Sequence, residues 1–139
     1  MSDLKTVWIT EGIKPDTIKW AEEFAKDLAQ AKKIFVKDKE KTISAMSTSQ
    51  LRKFFGEIKR IQALDFKNTE VRDSILMLKP KLAYAAGRDE GKSKLGDFYK
   101  KMSIGLDSIE PNNEKHFRNF VRIFEAIVAY HKEASIKLF

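Results

Sequence analysis

The chain has 139 residues, 42% of them hydrophobic and ten of them Phe, with no Cys and a formal net charge of +7. That apolar content argues for a folded core and against disorder, the length suits one domain, and the lack of cysteine excludes disulfides and thiolate metal sites. No run approaches 18 apolar residues and the N-terminus carries no signal-peptide core, so a soluble, cytoplasmic protein without membrane contact is expected.

After a leader over 1–14 with Trp8 and Ile9, Pro15 and Asp16 mark a helix start. Trp20, Phe24, Leu28, Ala31 and Phe35 recur at spacings of three and four, which predicts a first helix over 15–36 with these residues in the core. Residues 37–46 lose that period and are rich in Lys, and they read as a flexible connection.

Ser47 with Gln50 fits a capping box and opens a helix over 48–64. There Leu51, Phe54, Phe55, Ile58 and Ile61 share one side, while Arg52, Lys53, Lys59 and Arg60 gather on the other around Gly56. Glu57 is the one counter-charge within helical reach, so this face is expected to stay cationic. Gly56 costs the helix about 1 kcal/mol relative to Ala and leaves room for a close approach.

The next helix is expected over 70–86 and contains Pro80, whose missing N–H predicts a kink or a restart. Gly87 is the expected left-handed stop, which leaves Arg88 past the helix end, either covering free carbonyls or reaching an anion. A short or bent helix carrying Leu95, Phe98, Tyr99, Met102, Leu106 and Ile109 follows. Pro111 then opens the last helix, whose wide apolar arc of Phe117, Phe120, Val121, Phe124, Ile127 and Val128 places it at the centre. No strand period of useful length stands out. The expectation is an all-α, single-domain, irregular helical bundle of about five helices spanning 1–139.

The charge is unevenly spread. Residues 1–31 are net acidic, whereas 32–41, 51–60 and 79–94 each hold three more cations than anions. Such patches suit nucleic acid, through counterion release, and pI alone also allows an anionic membrane surface. The basic stretch at 37–46 is read either as solvated or as an RNA contact. With the aromatics committed to apolar stripes, no base-stacking platform is visible. His116 and His131 lie about 22 Å apart on one helix and cannot act as an acid/base pair. There is no His-x-x-x-His, no calcium-spaced acidic loop and no phosphate-binding Gly loop, so no catalytic residue, metal site or cofactor is expected.

Three segments carry a family likeness: Ser49-Gln50-Leu51-Arg52-Lys53-Phe54-Phe55, then Leu78-Lys79-Pro80-Lys81-Leu82-Ala83-Tyr84-Ala85-Ala86-Gly87-Arg88, then Phe124-Glu125-Ala126-Ile127-Val128-Ala129-Tyr130. Together, over roughly residues 43–133, they resemble the small subunit of type III-A CRISPR effector complexes. The resemblance implies a helical, non-catalytic RNA-binding subunit for antiviral defence. Such a subunit is present in several copies, runs along guide RNA and target RNA, and stabilises the assembly with the other subunits. Taken with the charge pattern, it leads to the expectation that Arg52, Lys53, Lys59, Arg60, Lys79, Lys81 and Arg88 form one RNA-facing surface. The alternative is a helical protein–protein interaction module without direct RNA contact.

Overall fold

The computed structural model describes residues 1–136. Among these residues there are six helices: α1 (Thr6–Thr10), α2 (Pro15–Leu28), α3 (Thr48–Gln62), α4 (Thr69–Asp89), α5 (Leu95–Asp107) and α6 (Glu114–Ser135). Between α2 and α3 lies a two-stranded antiparallel hairpin, β1 (Lys32–Val36) and β2 (Lys39–Ile43). The fold is mainly helical, as the apolar periodicity requires, with this hairpin as the addition.

Helix α6 is the axis of the bundle. Its wide apolar arc packs against α1, α2 and α3 at once, and Phe117, Phe120, Val121, Ile123, Phe124 and Ile127 are all buried. Helix α5 lies across α1 and α2 and carries α4 on its other side. Gly105 on α5 makes the tight crossing possible, because a Cβ there would stand 3.1 Å from Leu4 Cδ1 and 3.2 Å from the Phe120 ring. One apolar cluster joins every helix, from Leu4 and Trp8 through Trp20, Leu51, Leu78 and Phe98 to Ile127.

The first predicted helix is too long by eight residues. α2 ends at Leu28, so Ala31 and Phe35 are exposed and do not belong to the core stripe of Trp20, Phe24 and Leu28. Lys-Lys-Ile-Phe-Val is β-branched and aromatic enough to prefer a strand, and it pairs with residues 39–43 instead. The connection expected over 37–46 is therefore mostly the hairpin turn and its second strand. Lys37 and Asp38 form that turn with φ of 52° and 64°, the left-handed pair that a two-residue hairpin demands. Asn and Gly are the usual occupants, and a lysine there costs about 1 to 2 kcal/mol.

The base of the hairpin is held firmly. Met46 N donates to Leu28 O at 2.8 Å, Ser44 N to Lys92 O at 2.9 Å, and Lys94 N to Ser44 O at 2.8 Å. The Lys94 side chain is buried, with Nζ donating to Asp27 O at 2.6 Å, so it closes the C-terminal end of α2. His131 Nε2 lies 2.8 Å from Met46 O, and since a carbonyl only accepts, Nε2 is the protonated nitrogen.

The start of α3 is as expected. Gln50 N donates to Ser47 Oγ at 3.0 Å and Ser47 N to Gln50 Oε1 at 2.8 Å. Helix α4 neither breaks nor restarts at Pro80 but runs through it, and Gly87 is a helical residue rather than the stop. The left-handed residues come later, at Glu90 (φ 53°) and Gly91 (φ 72°), which puts Arg88 inside the last turn. Likewise α6 begins not at Pro111 but at Glu114, where Asn113 Oδ1 accepts from His116 N at 3.1 Å.

Candidate nucleic-acid interface

Helices α3 and α4 are joined by a short loop, and their facing edges leave an open groove of about 710 Å³. Phe54, Met77, Leu78, Tyr84 and Leu95 give it apolar walls, with Lys53, Glu57, Lys81 and Arg88 as its charges. Helical spacing explains the arrangement. On α3, Lys53, Glu57 and Arg60 project to the α4 side, four and three residues apart, and on α4, Met77, Lys81, Tyr84 and Arg88 repeat at the same spacing.

Glu57 organises the charges of the groove. Its Oε1 accepts from Lys81 Nζ at 2.9 Å and from Arg60 Nη2 at 2.9 Å, and its Oε2 accepts from Arg60 Nε at 3.1 Å. The hydrogen bonds from Arg60 and then Lys81 lower the carboxyl pKa from 4.5 to about 2, against the opposing effect of burial. The same contact raises the pKa of Arg60. Because the folded pKa lies below the unfolded one, Glu57 contributes stability that is complete above about pH 4.5 and is lost as pH falls towards 2. Glu57→Gln is therefore expected to flatten the fall of melting temperature across that interval. A pH series of thermal melts on both proteins checks it, an unchanged slope contradicting the role.

The seven cations predicted to share one surface are distributed over three. Lys53, Arg60, Lys81 and Arg88 belong to the α3–α4 side. Lys59 instead turns to α6, donating to Glu125 Oε2 at 3.1 Å and to Gln62 Oε1 at 3.0 Å, with Nζ 5.3 Å from the centre of the Phe55 ring. Arg52 is also on the α6 side, beside Leu51, Val128, His131 and Lys132. Lys79 points to α5, where both oxygens of Asp107 accept from its Nζ at 2.9 Å, and this raises its pKa. The face of α3 is thus less cationic than its own sequence suggests, because Lys59 is matched by an acid 66 residues away. Among the described residues, Arg52, Lys53 and Arg88 have no carboxylate partner, whereas Lys59, Arg60, Lys79 and Lys81 do.

Arg88 neither caps α4 nor stands beyond it. Its guanidinium carbon lies 5.9 Å from the centre of the Tyr84 ring, one turn back. Tyr84 is 68% exposed and is not part of the core stripe of Ile75, Leu78 and Leu82. An exposed aromatic ring is thus present among the cations, where the aromatics were expected in the core. The signal was legible, since Tyr84 falls off the spacing of that stripe and lies between Lys81 and Arg88.

A protein-family model described as Csm2 Type III-A matches residues 15–137, which takes in α2, the hairpin, α3, α4, α5 and α6. No curated protein and no solved structure matches the chain.

Proposed function

The chain belongs to the Csm2 type III-A family, and from that premise we propose that it is a non-catalytic RNA-binding subunit that holds phosphates along the α3–α4 groove. Family membership makes it a small subunit of a type III-A CRISPR complex, associated with the other Csm subunits. The finer reading adds guide RNA and target RNA as ligands, further copies of the chain along them, and the cytoplasm as its compartment. Among the described residues no helix is long and apolar enough to cross a membrane.

The observation that carries the reading is the joint placement of Lys53, Lys81 and Arg88 around one open groove beside the exposed ring of Tyr84. Arg88 presents a fork of donors matched to phosphate, and Lys53 a mobile point charge. Arg52 and Lys53 flank Gly56 on the ridge of α3, where a Cβ would meet nothing within 4 Å, so a strand can run close over that ridge. Both histidines are engaged elsewhere. His131 donates to Met46 O, and His116 Nδ1 accepts from Glu110 N at 3.2 Å, which supports a binding role over an acid/base role.

A second reading, a protein-docking module, draws on Leu76 and Met77, both half exposed on α4. Lys53→Ala with Arg88→Ala separates the two. On the RNA reading this pair weakens binding of a single-stranded RNA by about tenfold or more, with the melting temperature unchanged, since neither residue is buried. RNA affinity left intact by the pair, with loss of assembly into the complex, establishes the docking reading instead.

A further inference from the structure

Among the described residues the β1–β2 hairpin makes no extensive packing contact with any helix. Ten paired residues include no buried one, and only Ile34 and Ile43 are even partly covered. The ribbon is anchored to the bundle at its base, through Ser44 and Met46, and beyond that anchor its two faces are free to meet a ligand. Its composition says which kind. Five lysines, Lys32, Lys33, Lys37, Lys39 and Lys41, face two acids, Asp38 and Glu40. Among the described residues one of those lysines is paired, Lys33 with Glu40 at 3.2 Å, and the other four have no carboxylate partner. Two of the four cations on the α3–α4 side, Arg60 and Lys81, are matched by Glu57, whereas four of the five hairpin lysines have no such partner among the described residues.

Near its tip the hairpin also shows Phe35, 73% exposed, with Val36 beside it. The register places Phe35 opposite Glu40 on one face, and Val36 opposite Lys39 and Ile34 opposite Lys41 on the other. The ribbon is a single layer, so the long stems of Lys37, Lys39 and Lys41 reach its edge from the turn and the second face. The left-handed turn keeps a lysine at its apex where Asn or Gly is favoured. An exposed aromatic ring, with unmatched cations at the turn and on the opposite face of the same thin ribbon, can hold single-stranded nucleic acid, the ring stacking on a base and the lysines reaching round the edge to phosphates.

We infer that the hairpin is a second RNA contact, separate from the α3–α4 groove, in which Phe35 stacks on an unpaired base and Lys37, Lys39 and Lys41 hold the adjoining phosphates. It rests on the RNA-binding reading of the chain and adds to it a site that reads the presence of a base rather than phosphate alone. A protein partner taking the same apolar tip is the rival occupant, and the uncompensated lysines count against it.

Fluorescence anisotropy with the purified 139-residue chain, a single-stranded oligouridine and an abasic strand of equal length tests the inference. Phe35→Ala weakens binding to oligouridine by about 5- to 100-fold and leaves binding to the abasic strand unchanged, while Phe35→Tyr restores the uridine affinity. Lys39→Ala with Lys41→Ala weakens both strands alike. Phe35 is solvent-exposed, so helical content and melting temperature serve as controls that stay constant. If both hairpin variants bind as wild type while Lys53→Ala with Arg88→Ala still weakens binding, the hairpin inference fails and the groove reading stands. If all three variants bind as wild type, both fail. Loss of complex assembly by Phe35→Ala with unaltered RNA affinity overturns the inference in favour of protein docking.

Discussion

Phe124→Ala lowers the stability of the fold by about 3 to 5 kcal/mol, the range for deleting a buried phenyl ring whose site cannot collapse. Three rings enclose Phe124. Phe55 from α3 stacks parallel to it at 5.8 Å, Phe98 from α5 meets it edge-on at 5.6 Å, and Phe120 lies 6.3 Å away on α6 itself. These neighbours come from three different helices, so closing the cavity means moving three elements together. Chemical denaturation with circular dichroism measures the loss, and a change under 1 kcal/mol shows that α6 is not the axis of the bundle. Phe54→Ala costs less than its sequence position suggests, because Phe54 forms a wall of the open groove and is only partly buried. Arg122 is exposed among the charged residues of α6, and its replacement by Ala stays within about 0.5 kcal/mol.

The features that were legible in the sequence are those governed by neighbours along the chain. Ser47 and Gln50 lie three residues apart, and their reciprocal hydrogen bonds follow from that spacing alone. The breadth of the α6 stripe likewise announced its central position. The hairpin was hidden because Phe35 continues the three-and-four spacing of Trp20, Phe24 and Leu28 by coincidence, and its Lys-Asp turn lacks the Asn-Gly pair that marks such turns. Gly87 misled for a related reason. A glycine is permitted in the left-handed region but not compelled to enter it, and Glu90 and Gly91 supply that conformation about one turn later than expected.

The charge pattern was harder to judge because compensation is tertiary. Glu57 is the local acid seen in the sequence, and it does pair with Arg60, yet it also binds Lys81 from the next helix. Glu125 and Asp107 neutralise Lys59 and Lys79 across the bundle. Counting charges along α3 therefore overstates its free positive charge and understates that of the hairpin, whose lysines meet few acids. Exposed ion pairs of this sort contribute little to stability, but each must be exchanged before its cation can serve a phosphate. That exchange bears directly on how binding responds to salt.

Binding of single-stranded RNA is expected to fall steeply with salt, and replacing Glu57 is expected to make it fall more steeply still. Each phosphate neutralised on a single strand releases condensed counterions, giving a log-log slope of about −0.7 per contact. With Lys53 and Arg88 as the unmatched cations of the α3–α4 groove, their joint slope is about −1.4, roughly a 7-fold loss of affinity between 50 and 200 mM salt. Contacts made by the hairpin lysines add to that value, so the comparison is made within one background. Arg60 and Lys81 contribute less in the wild type, because leaving Glu57 for a phosphate exchanges one anion for another. Glu57→Gln removes their carboxylate, frees both for RNA and steepens the slope by about 1.4, while tightening binding at low salt. A salt titration of RNA affinity on wild type and variant measures both quantities. An affinity insensitive to salt removes phosphate contact from the account, and a Glu57→Gln slope equal to the wild-type slope shows that RNA does not lie in the α3–α4 groove.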